Sequence, residues 1–303
     1  MSVLFPIYRD FYHTLRSGNP SRIRHIIGQR QVNANTVLIL EGDITITPTS
    51  VCAELGHVDA IKVLAALGAS VHTPENDGVT PVYIAAQNGH VDAIKVLAAL
   101  GASVHTPEND GATPVYIAAQ NGHVNAFKAL AALGASVNTQ ENGGGTPVYI
   151  AVQMGHVDAI KALAALGASV HTPDNDGCTP VLVAAYNGHV DAIKALAALG
   201  ASVHTPENDG MTPVYIAAQN GHVDAIKALT TLGASVHTPE NDGVTPVLIA
   251  AQNGHVAAIK LLAALGASVN TPENDSGTSV FAAAQNGHVD AIKALTTLGA
   301  SVH

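Results

Sequence analysis

DGVTPVYIAAQNGHVDAIKVLAALGASVHTPEN, from Asp77 to Asn109, is followed at Asp110 by a near copy of itself. Further copies begin at Gly143, Asp176, Asp209, Asp242 and Asp275. A shift of 33 residues lays Gly89-His90 on Gly122-His123 and, repeated, reaches Gly287-His288. One step back it lands on Gly56-His57, in a worn copy that starts near residue 44. A fixed period of this size marks a repeat architecture, in which each unit packs only on its neighbours. The period predicts eight units over residues 44–303, preceded by a degenerate N-terminal capping segment over residues 1–43. It also moves the functional question from a pocket to a repeated surface.

Within one unit, Thr80-Pro81 opens a helix: the hydroxyl can cap free N–H groups, and Pro is tolerated at the first helical position. Gly89 stops this helix after about two turns. A second helix runs from about Val91 to Leu100, where Ile94, Leu97 and Leu100, with Val91 ahead of them, are expected to share one face. Gly101 ends it, and Thr106-Pro107-Glu108-Asn109-Asp110-Gly111 is turn chemistry. Neither helix is long enough to be stable alone. Stacking must therefore supply the stability, and the frequent Ala (Ala85, Ala86, Ala98, Ala99) permits close approach.

These residues resemble the ankyrin repeat. Gly78 to His90 carries T-P, A-A and G-H at that family's offsets, and Leu100 to His105 carries L-G-A-S-V-H. The resemblance implies an all-α ankyrin-repeat solenoid of stacked helix-turn-helix units joined by hairpin-like turns. It further implies a non-catalytic protein–protein interaction scaffold or adaptor, with the partner on the concave surface of hairpin tips and first helices. Two departures stand out. The place after T-P-x, commonly His in the family, is Tyr83, Tyr116, Tyr149, Leu182, Tyr215, Leu248 or Phe281, so the hydrogen bonds of such a His are absent or rewired. The usual tip Asp is mostly Glu, as at Glu75 and Glu108.

Charge and composition narrow the function classes. The five Arg all lie within the first 30 residues, while residues 44–303 carry 20 Asp and Glu against 8 Lys. Nucleic-acid binding needs clustered Lys and Arg, so this acidic array excludes it as a leading reading. Such charge favours basic partners or simply solubility. Cys52 and Cys178 form no metal or redox motif and fit a reducing compartment. No apolar run is long enough for a signal peptide or a membrane span. The expected location is the cytoplasm, with the nucleus left open. Asn274-Asp275-Ser276 is formally a glycosylation sequon, expected to carry no sugar without a secretory route.

Sixteen His invite a metal hypothesis. Eight sit at the G-H place, from His57 to His288, one per unit. Stacked helices lie roughly 8–10 Å apart, whereas a metal needs nitrogens about 2.0–2.1 Å away. Hydrogen bonding between units is the expected role, and neither a metal nor a cofactor is expected. No nucleophile elbow occurs. Gly143-Gly144-Gly145 lacks the G-K-[ST] of a phosphate loop. Carboxylates of the Glu75 and Asp77 types recur along the repeats, so no pair is singled out for acid–base work.

The places matching the family's contact surface are those of Asn76, Asp77, Val79, Gln87 and Asn88. In the central copies they bring Asn142, Asn175, Asp176, Asn187, Asn208, Asp209 and Gln219 forward as candidate partner contacts. Their uniformity reflects either recent tandem duplication or a periodic partner. Three exceptions cluster: Met154 at the Asn88 place, Tyr186 at the Gln87 place and Cys178 at the Val79 place. Drift would produce such exceptions, and so would a contact patch anchored by Met154 and Tyr186. Two other function classes remain open. One is a structural element, monomeric or stacking end to end through a last helix still apolar at Ile292, Leu295 and Leu298. The other is a regulatory or targeting chain for an enzyme encoded elsewhere.

Overall fold

The computed structural model describes residues 6–29, 32–39, 45–271 and 277–301. Arg30, Glu41, Asp43, Glu273, the sequon at 274–276 and Val302-His303 lie outside the described residues. Eighteen helices and one two-stranded ribbon make up the described residues. The helices come in pairs: α1 (Pro6–Ser17) with α2 (Pro20–Gly28), α3 (Pro48–Glu54) with α4 (Val58–Ala66), α5 (Pro81–Gln87) with α6 (Val91–Ala99), and α7 (Pro114–Gln120) with α8 (Val124–Ala132). Next are α9 (Pro147–Gln153) with α10 (Val157–Ala165), α11 (Pro180–Tyr186) with α12 (Val190–Ala198), and α13 (Pro213–Gln219) with α14 (Val223–Thr231). The last are α15 (Pro246–Gln252) with α16 (Val256–Ala264) and α17 (Ser279–Gln285) with α18 (Val289–Thr297). Between α2 and α3, β1 (Leu38–Ile39) pairs antiparallel with β2 (Thr45–Ile46), Leu38 opposite Ile46. The all-α repeat fold expected from the period is the fold observed.

The first 43 residues, weak in sequence, contain a helix pair of the same kind: α1 packs on α3 and α2 on α4. Residue contacts divide the chain into two compact units. The first holds residues 1–150 and 165–168; the second holds 151–164 and 169–303. In the first, α1, α3, α5 and α7 form one row and α2, α4, α6 and α8 another. In the second, α11, α13, α15 and α17 form one row and α12, α14, α16 and α18 the other.

Each first helix starts as the sequence dictates. Thr80, Thr113, Thr179, Thr212, Thr245 and Thr278 are extended N-cap residues whose hydroxyls accept the N–H three residues on. In most of them Pro follows at the first helical position, where no N–H is needed. Thr245→Ala removes the acceptor for Leu248 N–H and should lower unfolding free energy by about 1 kcal/mol, with Thr245→Ser nearly neutral. Urea midpoints of the two variants check this.

The second helices correct one expectation. Ile94 and Leu97 are fully buried, but their partner on the buried face is Ala93, and Leu100 is 40% exposed. Leu133, Leu199, Leu232 and Leu265 repeat that exposure. Three-residue steps fall short of a full 3.6-residue turn, so a run at i, i+3, i+6 drifts around the helix. Leu100 also sits at the C-cap, past the last helical residue.

Candidate functional site

The His of several G-H pairs fastens its helix pair to the one before it. In the second unit, His189 Nε2 lies 3.1 Å from Gln153 O, His222 Nε2 2.9 Å from Tyr186 O, and His255 Nε2 3.0 Å from Gln219 O. In the first, His90 Nε2 lies 2.9 Å from Glu54 O. A carbonyl oxygen only accepts, so Nε2 carries the proton and donates. That nitrogen is therefore committed to the backbone of the preceding repeat, as the expected hydrogen-bonding role requires. Each ring also lies against the Gly of the previous G-H pair: a Cβ on Gly221 would come within 2.6 Å of His255 Nδ1.

The hairpin tips are closed by the Glu that departs from the family pattern. Glu207 takes Asp209 N–H on one oxygen and Met211 N–H on the other, both at 3.0 Å. Glu240 does the same for Asp242 and Val244, both at 2.9 Å. Asp174, one methylene shorter, takes both Asp176 (3.0 Å) and Cys178 (2.9 Å) on a single oxygen. A carboxylate thus closes each of these tips, a task that the Glu-for-Asp departure alone does not reveal.

Against that frame of fixed backbone stand the sequence candidates. Asn208 is exposed, yet its N–H faces Asp176 O at 3.5 Å and its carbonyl accepts Asn241 Nδ2 at 3.3 Å. Its Oδ1 would lie 2.6 Å from a Cβ on Gly177. Asn142, in the first unit, donates its N–H to Asp110 O at 2.9 Å and Nδ2 to Asn109 O at 3.3 Å. The uniform Asn ladder therefore has a scaffold role that sequence alone did not reveal. At Asn109, Asn142 and Asn241 that role is filled by the side-chain amide, whatever the partner. Asp209 N–H belongs to the tip hydrogen bonds and its carbonyl accepts Asn241 N–H at 3.0 Å. Asn187 Nδ2 donates back to Val183 O at 2.9 Å, and the Gln219 carbonyl accepts from both His255 and Asn253, each at 3.0 Å. Asn175 and Asp176 are exposed at the tip.

The exceptions behave differently. Tyr186, the last residue of α11, is 59% exposed, while its carbonyl is pinned by His222. Met154, just past α9, is 42% exposed beside Gln153, whose carbonyl is pinned by His189. The His189 bond ties the loop after α11 to the end of α9, so the two anchors stand on mutually fastened backbone. Cys178 is half-buried. Burial, reinforced by Asp174, Glu207 and Asp176, pushes its thiol up to about 11, which leaves it protonated and a poor nucleophile at neutral pH. Burial likewise pushes the Cys52 thiol up to about 12.

No group of three His, Cys, Asp or Glu able to hold a metal occurs among the described residues. Among them, too, no helix is long and apolar enough to cross a membrane.

Comparison with known proteins places these features in a family. The family described as ankyrin repeats (3 copies) matches residues 100–174, 165–240 and 226–303. Ankyrin repeats (many copies) match residues 50–98. No curated protein matches the chain. Among solved structures, the crystal structure of the human ASB11 ankyrin repeat domain is similar, with 27% identity and a TM-score of 0.66, over 74% of this chain and 100% of that one.

Proposed function

Because this chain belongs to the ankyrin-repeat family, whose members generally mediate protein–protein interaction, we propose that it is a non-catalytic scaffold or adaptor. Its partner contacts the tip and first-helix face of the second unit, with Met154 and Tyr186 as anchors. One observation carries the reading: two large side chains are exposed where the matching places hold Asn or Gln, and both stand on backbone fixed by His bonds. A rigid base lowers the ordering cost of a contact, and Tyr and Met supply adaptable apolar area. Tip carboxylates beside them, Asp176 and Asp209, favour a basic partner. Free cysteines at Cys52 and Cys178 support an intracellular, reducing location.

Immobilised wild type and the Met154→Asn, Tyr186→Gln double variant, exposed to the same cell extract, test this reading. The variant restores the repeat's own residues, so the fold is kept. Loss of the captured protein is expected; undiminished capture by the variant contradicts the proposed face.

A further inference from the structure

Glu75 breaks the tip pattern although its sequence, Glu75-Asn76-Asp77-Gly78, is that of the tips at Glu108, Glu207 and Glu240. Glu108 gives one oxygen to Asp110 N–H (2.9 Å) and the other to Ala112 N–H (3.0 Å), and Glu141 does the same for Gly143 (2.7 Å) and Gly145 (2.8 Å). At the first tip the backbone turn is intact, with Glu75 N–H on Val79 O at 2.9 Å. Asp77 Oδ1 instead takes Val79 N–H, at 3.2 Å. The Glu75 carboxyl has a side-chain hydrogen bond with Ser50, while its Oε1 is shielded from solvent and accepts no hydrogen bond among the described residues.

The place held by Tyr83 in the next unit is held by Ser50 in the worn one. Beside this tip lies a cavity of about 580 Å³ in the first unit. Tyr12, Arg16 and Glu54 border it on one side, with Glu75, Asp77, Tyr83 and Glu108 on the other. Both Glu108 oxygens are used in its own tip. Arg16 donates to Tyr12 Oη at 3.3 Å and approaches Glu54 at 3.9 Å. No ion pair joins it to Glu75 among the described residues.

We propose that this cavity receives a cationic side chain, the ammonium of lysine or the guanidinium of arginine, from a basic segment of a protein partner. Such a group supplies the donor that Glu75 Oε1 lacks, a charge-assisted bond in a partly desolvated site. Asp77 adds attraction and Glu54, shared with Arg16 at 3.9 Å, offsets that resident cation; the Tyr12 and Tyr83 rings offer surface for the guest's apolar stem and for cation–π contact. The volume far exceeds that of a bare ion, and the carboxylates do not gather as a metal-ligating group. Burial holds the Glu75 carboxyl up at about 7, with Asp77 and Glu54 acting in the same direction and Ser50 opposing. Cation binding therefore releases a proton from Glu75 near neutral pH, and affinity rises as pH goes from 6 to 8. The cation's owner rests on the protein-interaction reading; the cavity's chemistry does not.

Calorimetry with N-acetyl-arginine methylamide, and with its neutral citrulline counterpart, tests this on the full chain. One-to-one binding of the arginine probe is expected, with none by citrulline. Glu75→Gln should weaken it by roughly tenfold, the worth of one charged hydrogen bond. Asp224→Asn, altering an exposed carboxylate of the second unit, should leave it unchanged. Melting by circular dichroism checks that Glu75→Gln, an isosteric change at a half-buried carboxyl, stays folded. Absent binding, equal binding of citrulline, or equal affinity in Glu75→Gln overturns the proposal. Each of these results leaves the Met154–Tyr186 face standing, because the probe competes for nothing there.

Discussion

Gly221→Ala should destabilise the repeats around it by roughly 2–5 kcal/mol, against about 1–2 kcal/mol for Gly233→Ala. Both glycines have left-handed backbones, φ +71° and +97°, so both variants carry the strain of a Cβ in that region. They differ in surroundings. The new Cβ at Gly221 would meet the His255 ring at 2.6 Å, whereas nothing lies within 4 Å of the one at Gly233. The excess loss in Gly221→Ala thus measures the fit of ring on glycine. Displacing the ring also strains the His255 bond to Gln219 O. Repeat arrays unfold by local and neighbour contributions, so amide exchange of α13 to α16 is a better reading than one global midpoint. Equal losses in the two variants would show that the G-H pair is a turn and not an inter-repeat fastening.

Leu229→Ala and Leu232→Ala give the second large contrast. Leu229 is fully buried in α14, and its truncation should cost about 2–5 kcal/mol. Leu232, three residues on, is 40% exposed at the C-cap, and its truncation should stay within about 0.5 kcal/mol. Urea denaturation with unchanged slope provides the comparison. A large loss for Leu232 would place it in the core that the sequence spacing suggested and the structure does not show.

The fold was legible because repetition multiplies every local signal. One T-P and one G-H are weak; the same pairs at a constant offset are not. The Leu232 type of residue was misread because three-residue spacing approximates a helical face only over a short run. What stayed hidden was each residue's mate. His255 meets Gly221 and Gln219 of the preceding repeat, and Asn241 meets Asp209 and Asn208, so each contact spans about one period. In a near-uniform array, such contacts look like uniformity alone. The Asn ladder thus appeared as a candidate binding surface although its amides serve the stack. Glu75 is the sharpest case. Its local sequence is that of the tips at Glu108, Glu207 and Glu240, and the difference lies in the neighbouring worn repeat, where Ser50 stands at the place of Tyr83. Met154, Tyr186 and Cys178 were legible because they interrupt a pattern. Their exposure and their pinned backbone were not.

The central claim is that recognition lies at the interruptions and stacking at the ladders. Hydrogen–deuterium exchange of the chain alone and with its captured partner measures this directly. The account predicts new protection at residues 153–156 and 175–188, around Met154, Cys178 and Tyr186. Exchange at the matching ladder places, residues 87–88, 120–121 and 252–253, should not change. Protection spread evenly over those ladder places, with none at Met154 and Tyr186, would contradict it and point to a periodic partner.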